Sequence, residues 1–195
     1  DPILALPAGI TTVFMANGDK ATIRLEATGS IIGDIRGAGV GTTNAGIFRL
    51  TNGATGINDG KTETTMYTAT VLSGSHFINN GSLTSGRTST GVGGLGVHTS
   101  GQNSLFTNNG ILNVSPAYWS ALAASNGTTI GLTTELGANA INNATMNIGF
   151  NEGNRGREVV SSVLGARIGT NGNFTNSASA VMNVGKTVDG DDVYV

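Results

Sequence analysis

Acidic residues are the first candidates for chemistry in this chain, because two carboxylates acting together can cleave a glycosidic bond. Asp59 stands in the turn-like triplet Asn58-Asp59-Gly60, and Asp191 and Asp192 are adjacent near the end of the sequence. Glycoside cleavage needs two carboxylates about 5 to 10 Å apart, one on each side of the bond. The repeats described below place Asp59 several coils away from the pair. We therefore predict no catalytic residues, and a turn or solvent-facing acid is the favoured interpretation.

Metal ligands would have to come from histidines or from clustered acids. His76 and His98 lack a second histidine or an acidic residue at ligand spacing, so we expect each to be a surface or strand-flanking residue. Residues 189–192 are rich in Asp, but calcium takes about six to eight oxygen ligands, and a solvated turn is favoured. We predict no metal site and no cofactor.

The composition bounds the remaining possibilities. The 195 residues are 38% hydrophobic, enough for one folded domain over residues 1–195, and nearly half of them are Gly, Asn, Thr or Ser. Only 11% are charged, the net charge is -2, and the ten Lys and Arg residues are scattered, which argues against a nucleic-acid partner. Cysteine is absent, and no apolar run approaches the roughly 20 residues that cross a bilayer. We therefore expect no disulfide and no membrane-spanning helix in this segment.

A short phrase that recurs along the chain indicates internal repeats. Four of the six phenylalanines stand four residues before a Gly or an Ala, namely Phe14, Phe77, Phe106 and Phe174. Copies of the phrase follow one another every 28 to 35 residues, each with an Asn one or two positions before the Gly or Ala. The six copies are centred on Gly18, Gly53, Gly81, Gly110, Ala144 and Ala178.

Apolar and polar residues alternate after these Gly and Ala positions. Leu112 and Val114, for example, follow Gly110 by two and four residues. Alternation of period two, bounded by Asn and Gly, is typical of a half-buried strand beside a tight corner, because Asn and Gly tolerate positive φ. A second apolar segment lies between successive corners, as at residues 129–136. Each repeat therefore predicts two or three short strands.

Repeats of this length and pattern predict one coil of a parallel β-solenoid per repeat. We expect an all-β fold of about six coils of 28–35 residues, stacked about 4.8 Å apart. Each coil buries its apolar residues against its neighbours.

Two ladders of identical side chains follow from the predicted register. The first is an internal aromatic ladder of Phe14, Phe77, Phe106 and Phe174, which Arg49 and Ala140 interrupt in the second and fifth coils. The second is a stack of side-chain amides at the corner, formed by Asn80, Asn109 and Asn143.

The coil phrases resemble those of a known family. The stretches from Phe106 to Val114 and from Phe174 to Val184 are similar to coil sequences in the passenger domains of bacterial autotransporter adhesins. The resemblance covers most of the chain and implies a right-handed parallel β-helix. It also implies export by type V secretion across the outer membrane and display at the bacterial cell surface or release from it. Passengers are often several times longer, so this chain is expected to be a fragment of one.

The resemblance also implies a function and partners. Members of this family attach cells to a host glycan or matrix protein, or bind another copy of themselves in cell-cell aggregation and biofilm, and so contribute to virulence. No enzymatic activity is implied.

One segment departs from the repeat pattern. Ser115 suits a helix N-cap and Pro116 the first helical position, so a short helical excursion is predicted near residues 116–124. Tyr118 and Trp119 within it are candidates to stack on a sugar or a protein, since excursions from a coil often carry binding. Covering the end of the core is the alternative role of these two aromatic residues.

A local basic cluster contains Arg155 and Arg157. Guanidinium groups suit sulfated or carboxylated ligands, so both arginines are candidate binding residues. A plain loop is the alternative interpretation of this cluster.

Two function classes remain open. An adhesin follows from the resemblance and from the lack of a catalytic constellation. The alternative is a polysaccharide-binding or polysaccharide-degrading β-helix of the tailspike or pectinase type, since Asn58-Asp59-Gly60 resembles the Asn-x-Asp-Gly motif of pectin-cleaving β-helix hydrolases. That class requires a cluster of carboxylates on one strand face, which the sequence does not show.

Overall fold

A computed structural model describes residues 3–6, 12–33, 46–64, 67–85, 95–115, 129–149 and 163–185. Every regular element in these ranges is a β-strand, which confirms the predicted all-β fold. The predicted helix near residues 116–124 lies outside the described residues. No helix in the described ranges is long and apolar enough to cross a membrane.

Nineteen strands are present in the described ranges. In chain order they are β1 (Ile3–Leu6), β2 (Thr12–Asn17), β3 (Thr22–Leu25), β4 (Ser30–Gly33), β5 (Gly46–Thr51), β6 (Thr55–Asn58), β7 (Lys61–Thr64), β8 (Tyr67–Leu72), β9 (His76–Asn79), β10 (Ser82–Ser85), β11 (Leu95–Ser100), β12 (Leu105–Asn108), β13 (Ile111–Val114), β14 (Thr129–Glu135), β15 (Asn139–Asn142), β16 (Thr145–Ile148), β17 (Val163–Ile168), β18 (Asn173–Asn176) and β19 (Val181–Val184).

Every third strand belongs to the same parallel sheet, as a solenoid requires. Sheet A has the order β1-β4-β7-β10-β13-β16-β19, sheet B contains β2-β5-β8-β11-β14-β17, and sheet C contains β3-β6-β9-β12-β15-β18. After β1, the described chain passes six times through sheet B, sheet C and sheet A in turn. These six passes are the coils of a parallel β-helix, numbered below from one to six in chain order.

The coils are not all of the predicted length. Coil two is shorter than the expected 28–35 residues, since its Thr55 pairs with His76 of coil three, only 21 positions later. Thr145 pairs with Val181, 36 positions later, in the longest step. Coil two is short because β7 ends at Thr64 and β8 begins at Tyr67, so the connection from sheet A to sheet B is minimal there.

Two different corners of the coil use Asn and Gly, and the predicted repeats merged them. Asn52 and Gly53 follow a strand of sheet B, where both residues have positive φ, 55° and 82°. Asn80 and Gly81 stand instead between sheet C and sheet A. Gly81 is required there for a different reason, because a Cβ on it would lie 2.1 Å from the carbonyl oxygen of Gly60 in the coil below.

The predicted copies therefore belong to two corners. Gly18 and Gly53 mark the corner from sheet B to sheet C, whereas Gly81, Gly110, Ala144 and Ala178 mark the corner from sheet C to sheet A. The coil-two equivalent of Asn80-Gly81 is Asp59-Gly60, because Asn58 pairs with Asn79.

The aromatic ladder is confirmed for three of its four members and wrong for Phe14. Phe77, Phe106 and Phe174 share one inward position in sheet C, with Ala140 between the last two. Phe14 lies in sheet B, where it pairs with Phe48.

The rings of Phe14, Phe48, Phe77 and Phe106 nevertheless form one continuous stack. The ring centroids of Phe14 and Phe48 are 5.9 Å apart, those of Phe48 and Phe77 are 5.0 Å apart, and those of Phe77 and Phe106 are 6.1 Å apart. Gly56 holds the phenylalanine position of sheet C in coil two. A Cβ there would lie 2.7 Å from side-chain carbons of both Phe77 and Leu50, so the glycine leaves space that these two side chains occupy.

Arg49 does not interrupt this stack, contrary to prediction. It pairs with Met15 on the outward side of sheet B, one residue from the buried Phe48. Because successive side chains of a strand point to opposite faces, Arg49 and Phe48 lie on opposite sides of sheet B. Ala140, by contrast, breaks the ladder in coil five as predicted.

Candidate binding face

The corner between sheets C and A carries a buried amide ladder that the sequence did not reveal. Asn58, Asn79, Asn108 and Asn142 are fully buried. In each, the side-chain Nδ2 donates a hydrogen bond to the Oδ1 of the next Asn, over 2.7 to 2.8 Å, and the series ends at Asn176. Because buried amides need partners, this ladder fixes the register of successive coils at the corner.

The predicted exposed ladder is confirmed beside it. Asn143 donates to Asn109 over 2.9 Å, and Asn109 donates to Asn80 over 3.0 Å. The ladder extends further than predicted at both ends, since Ser177 donates to Asn143 and Asn80 donates to Asp59. Asn80, Asn109 and Asn143 are exposed, Asp59 and Ser177 are partly buried, and the bonds run along the solenoid axis.

Asp59 is the acidic end of the exposed ladder. Its Oδ1 accepts the hydrogen bond from Asn80 at 2.7 Å, and its Oδ2 lies 2.6 Å from Nη2 of Arg24. The hydrogen bond from Asn80, followed by the contact with Arg24, holds the pKa of Asp59 below its usual value of 3.8, against an opposing effect of lost hydration. The interpretation of Asp59 as a turn acid fits this geometry. Asp191 and Asp192 lie outside the described residues.

Of the other described carboxylates that form ion pairs, Glu26 shares Arg24 with Asp59, Glu63 lies on sheet A, and Glu135 lies beside His98. Glu63 lies 2.6 Å from Lys61 on sheet A, and Glu26 lies 3.4 Å from the Arg24 guanidinium. The described ranges contain no group of three or more His, Asp or Glu side chains placed to hold a metal ion.

The two histidines differ from each other. His76 is exposed at the start of β9, as expected for a strand-flanking residue. His98 is only 6% exposed within β11, so the expectation of a surface or flanking position is wrong for it. Its Nε2 lies 3.1 Å from Oε1 of Glu135 on the next coil. This acidic partner was missed because it is 37 residues away in the sequence and becomes adjacent only when the coils stack.

The outward side of sheet C presents two parallel rows of side chains, which we call the sheet C face. The register of the strands defines both rows. The first row is Thr22, Thr55, His76, Leu105, Asn139 and Asn173, and the second is Arg24, Ile57, Ile78, Thr107, Ile141 and Thr175. Neighbours in a row are about 4.8 Å apart, the spacing of adjacent strands.

A depression of about 420 Å³ lies on the sheet C face in coils three to six. Polar groups on it come from His76, Asn103, Asn139, Asn173 and Thr175, and the apolar surface from Leu105 and Ile141. Asn173 donates to Asn139 over 3.3 Å.

Several polar groups of the depression are available to a ligand. Within the described part of the chain, the Asn103 amide, the His76 ring and Nδ2 of Asn139 have no protein hydrogen-bond partner, and all three residues are exposed. Asn103 follows β11 with φ 63°, a left-handed conformation that Asn adopts more readily than most residues. The depression therefore combines free hydrogen-bonding groups with small apolar surfaces.

The residues predicted to bind, Tyr118, Trp119, Arg155 and Arg157, all lie outside the described residues. Their places in the chain are related, however. Tyr118 and Trp119 fall between β13 and β14, and both arginines fall between β16 and β17. Both segments thus connect sheet A to sheet B in consecutive coils.

The sheet C face was not found by sequence reasoning. The sequence contains a signal for this face in the strand that ends at the first Asn of each Asn-Asn pair. The first and third residues of that strand point outward. The sequence does not reveal that the step from coil two to coil three is only 21 residues long. The strands of sheet C therefore cannot be aligned from the sequence alone, and the two rows cannot be predicted.

Comparisons with known proteins identify no relative of this chain. The chain matches no protein-family model, and neither curated protein sequences nor solved structures show a match.

Proposed function

We propose that this chain is a β-helical section of a bacterial surface adhesin, which binds a host glycan, a matrix protein or another copy of itself without converting it chemically. The observation that carries the proposal is the sheet C face, where free amides and an imidazole lie in register beside small apolar side chains. The resemblance of the coil phrases to autotransporter passengers supports display at the cell surface, with adhesion, aggregation and biofilm formation as the expected roles.

A stacked solenoid suits adhesion for a physical reason. A single hydrogen bond contributes only about 1 kcal/mol net, so useful affinity requires many contacts made together or many displayed copies. The buried Asn ladder and the aromatic stack hold the outward rows at fixed spacing. Fixed spacing reduces the entropy lost when a ligand makes several contacts at once.

The arrangement of Asp59 argues against the polysaccharide-degrading alternative at that residue. Both of its carboxylate oxygens accept hydrogen bonds, from Asn80 and from Arg24. A catalytic acid or nucleophile needs access to the substrate, whereas the Asp59 side chain is only 14% exposed and both of its oxygens are already engaged.

The segments containing Trp119 and Arg155 are proposed as additional anchors. Aromatic and arginine side chains dominate the energy of many interfaces. We propose that Tyr118, Trp119, Arg155 and Arg157 strengthen binding from the connections between sheets A and B.

The test probes the full chain with an array of glycans and matrix proteins, beside a cell-aggregation assay. Thr107→Arg places a bulky cation in the second row of the sheet C face and is expected to reduce binding at least tenfold, that is by about 1.4 kcal/mol or more. Thr84→Arg is the matched control, because Thr84 is an outward, partly buried threonine on sheet A. Equal loss in both variants would remove the sheet C face from the proposal.

A second comparison separates adhesion from catalysis. Trp119→Ala and the double variant Arg155→Ala/Arg157→Ala are expected to weaken binding, whereas Asp59→Asn and Asp191→Asn are expected to leave it unchanged. The same proteins are incubated with polysaccharides, and the products are analysed for chain cleavage. Cleavage that is abolished by either acidic substitution would replace the adhesin proposal with the polysaccharide-degrading alternative.

A further inference from the structure

The depression on the sheet C face has a lining that selects among glycans. Its polar groups are three asparagine amides, one threonine hydroxyl and one imidazole, and no Lys, Arg, Asp or Glu side chain lines it in the described part of the chain. Carboxylate and sulfate groups are bound in proteins chiefly by Arg, Lys or other strong donors that offset their charge. A lining of amides and hydroxyls matches a ligand that carries hydroxyl or amide groups and no charge.

The order of the lining residues also sets the orientation of a bound ligand relative to the solenoid axis. His76, Leu105, Asn139 and Asn173 are consecutive members of the first outward row, one from each of coils three to six. Three steps of about 4.8 Å give a row roughly 14 Å long, parallel to the solenoid axis. A ligand that contacts the whole row must therefore be extended and must lie along the axis, across the strands.

The distribution of apolar and polar atoms fits the two kinds of surface on a sugar ring. A pyranose ring has an apolar face of C–H groups and a rim of hydroxyl groups. Leu105 and Ile141 supply apolar surface, and the amides of Asn103 and Asn139 flank it with free donors and acceptors.

We propose that this depression binds an uncharged oligosaccharide chain aligned with the solenoid axis. This inference rests on the proposed adhesive function and names the ligand class of the sheet C face. Asn103, Asn139 and Asn173 hydrogen-bond the hydroxyl or acetamido groups of the chain, and Leu105 and Ile141 contact the ring faces.

The experiment measures binding of the full chain to four probes by titration calorimetry. The uncharged probes are an oligomer of β-linked glucose and an oligomer of β-linked N-acetylglucosamine, and the acidic probes are a hyaluronan fragment and a heparin fragment. We expect saturable binding of at least one uncharged probe. Its affinity should not fall when salt is raised to about 1 M, where the Debye length is only about 3 Å.

The variant Asn139→Ala/Asn173→Ala removes two amides from the row and should weaken binding of the uncharged probe about tenfold to thirtyfold. The control is Asn113→Ala/Asn147→Ala, which removes a similar pair of stacked amides from the outward side of sheet A, where Asn147 donates to Asn113 over 2.9 Å. The control should bind as the parent does. Thermal unfolding of both variants identifies any loss that comes from unfolding.

A second pair of variants tests the apolar contact without altering an amide. Leu105→Ala should weaken binding of the uncharged probe severalfold, and Ile111→Ala, a truncation of an exposed residue on sheet A, should not.

Three outcomes would overturn the inference: binding of the acidic probes alone, binding of no probe, or equal losses in the sheet C and sheet A variants. If one of these occurs while Thr107→Arg still reduces adhesion at least tenfold in the array or aggregation assay, the adhesin proposal stands and only the ligand class is wrong. If adhesion itself is absent, the adhesin proposal and the proposal of an uncharged oligosaccharide ligand both fail.

Discussion

At the scale of single residues, the two asparagines of each Asn-Asn pair have opposite environments. Asn108 faces inward and is fully buried, whereas its neighbour Asn109 is exposed. Their ladders also run in opposite directions, because Asn108 donates to the following coil and Asn109 donates to the preceding one. Identical side chains therefore contribute differently to the free energy of unfolding.

Asn108→Ala should cost about 2 to 4 kcal/mol, because it leaves Asn142 without its donor and Asn79 without its acceptor in a buried site. Asn109→Ala should cost less than about 1 kcal/mol, because water replaces the lost partner. Denaturant unfolding of the two variants measures both values. Similar costs would contradict the assignment of one ladder to the core and the other to solvent.

Asp59 gives the chain a stability contribution that depends on pH. Its pKa is lower in the folded protein than the usual 3.8, so the contribution is fully present above about pH 4 and is lost as pH falls through the folded-state pKa. The melting temperature of the parent protein should therefore fall more steeply below pH 4 than that of Asp59→Asn. Asp19→Asn, at an exposed acid in coil one, is the control and should follow the parent. Parallel melting curves for the parent protein and Asp59→Asn would contradict the prediction.

At the scale of elements, each strand of sheet C does two tasks because its side chains alternate. The second and fourth residues of β12 are buried, Phe106 in the aromatic stack and Asn108 in the amide ladder. The first and third, Leu105 and Thr107, belong to the sheet C face. The packing of the inward residues thus sets the positions of the outward ones.

The aromatic stack should dominate the stability of coils three and four. Phe106→Ala removes a ring that is 1% exposed and should cost about 3 to 5 kcal/mol through lost burial and the cavity it leaves. Phe14→Ala, in the partly buried ring at the end of the stack in coil one, should cost about half as much or less. Chemical unfolding measures both, and an equal or larger cost for Phe14→Ala would contradict the observed order of the rings.

At the scale of the whole molecule, most of the variation in coil length is concentrated in one corner. Connections from sheet B to sheet C, and from sheet C to sheet A, span only two to four residues throughout the described coils. The connection from sheet A to sheet B ranges from the two residues between β7 and β8 to the fourteen between β13 and β14. The coils can therefore differ in length while the rows of sheet C stay in register. Long connections of this kind are where binding residues commonly occur.

The sequence by itself determined the architecture. Period-two alternation between Asn- and Gly-rich corners specifies short strands, and its recurrence specifies stacked coils, because both are local properties of the chain. The exposed ladder of Asn80, Asn109 and Asn143 could be predicted for the same reason, since equivalent residues of stacked coils must meet. The break in the aromatic ladder at Ala140 followed from the same logic.

Only the tertiary structure decided which corner each Asn and Gly occupies. Glycine is favoured at position 53 because its φ is positive, and at position 81 because the coil below approaches closely. Since both causes select glycine, the two corners look alike in sequence. This ambiguity placed Phe14 in the wrong sheet and hid the short second coil. The partnership of His98 with Glu135 and the rows of the sheet C face likewise depend on coil length, which sets the residues that come into register and is not encoded in any single repeat.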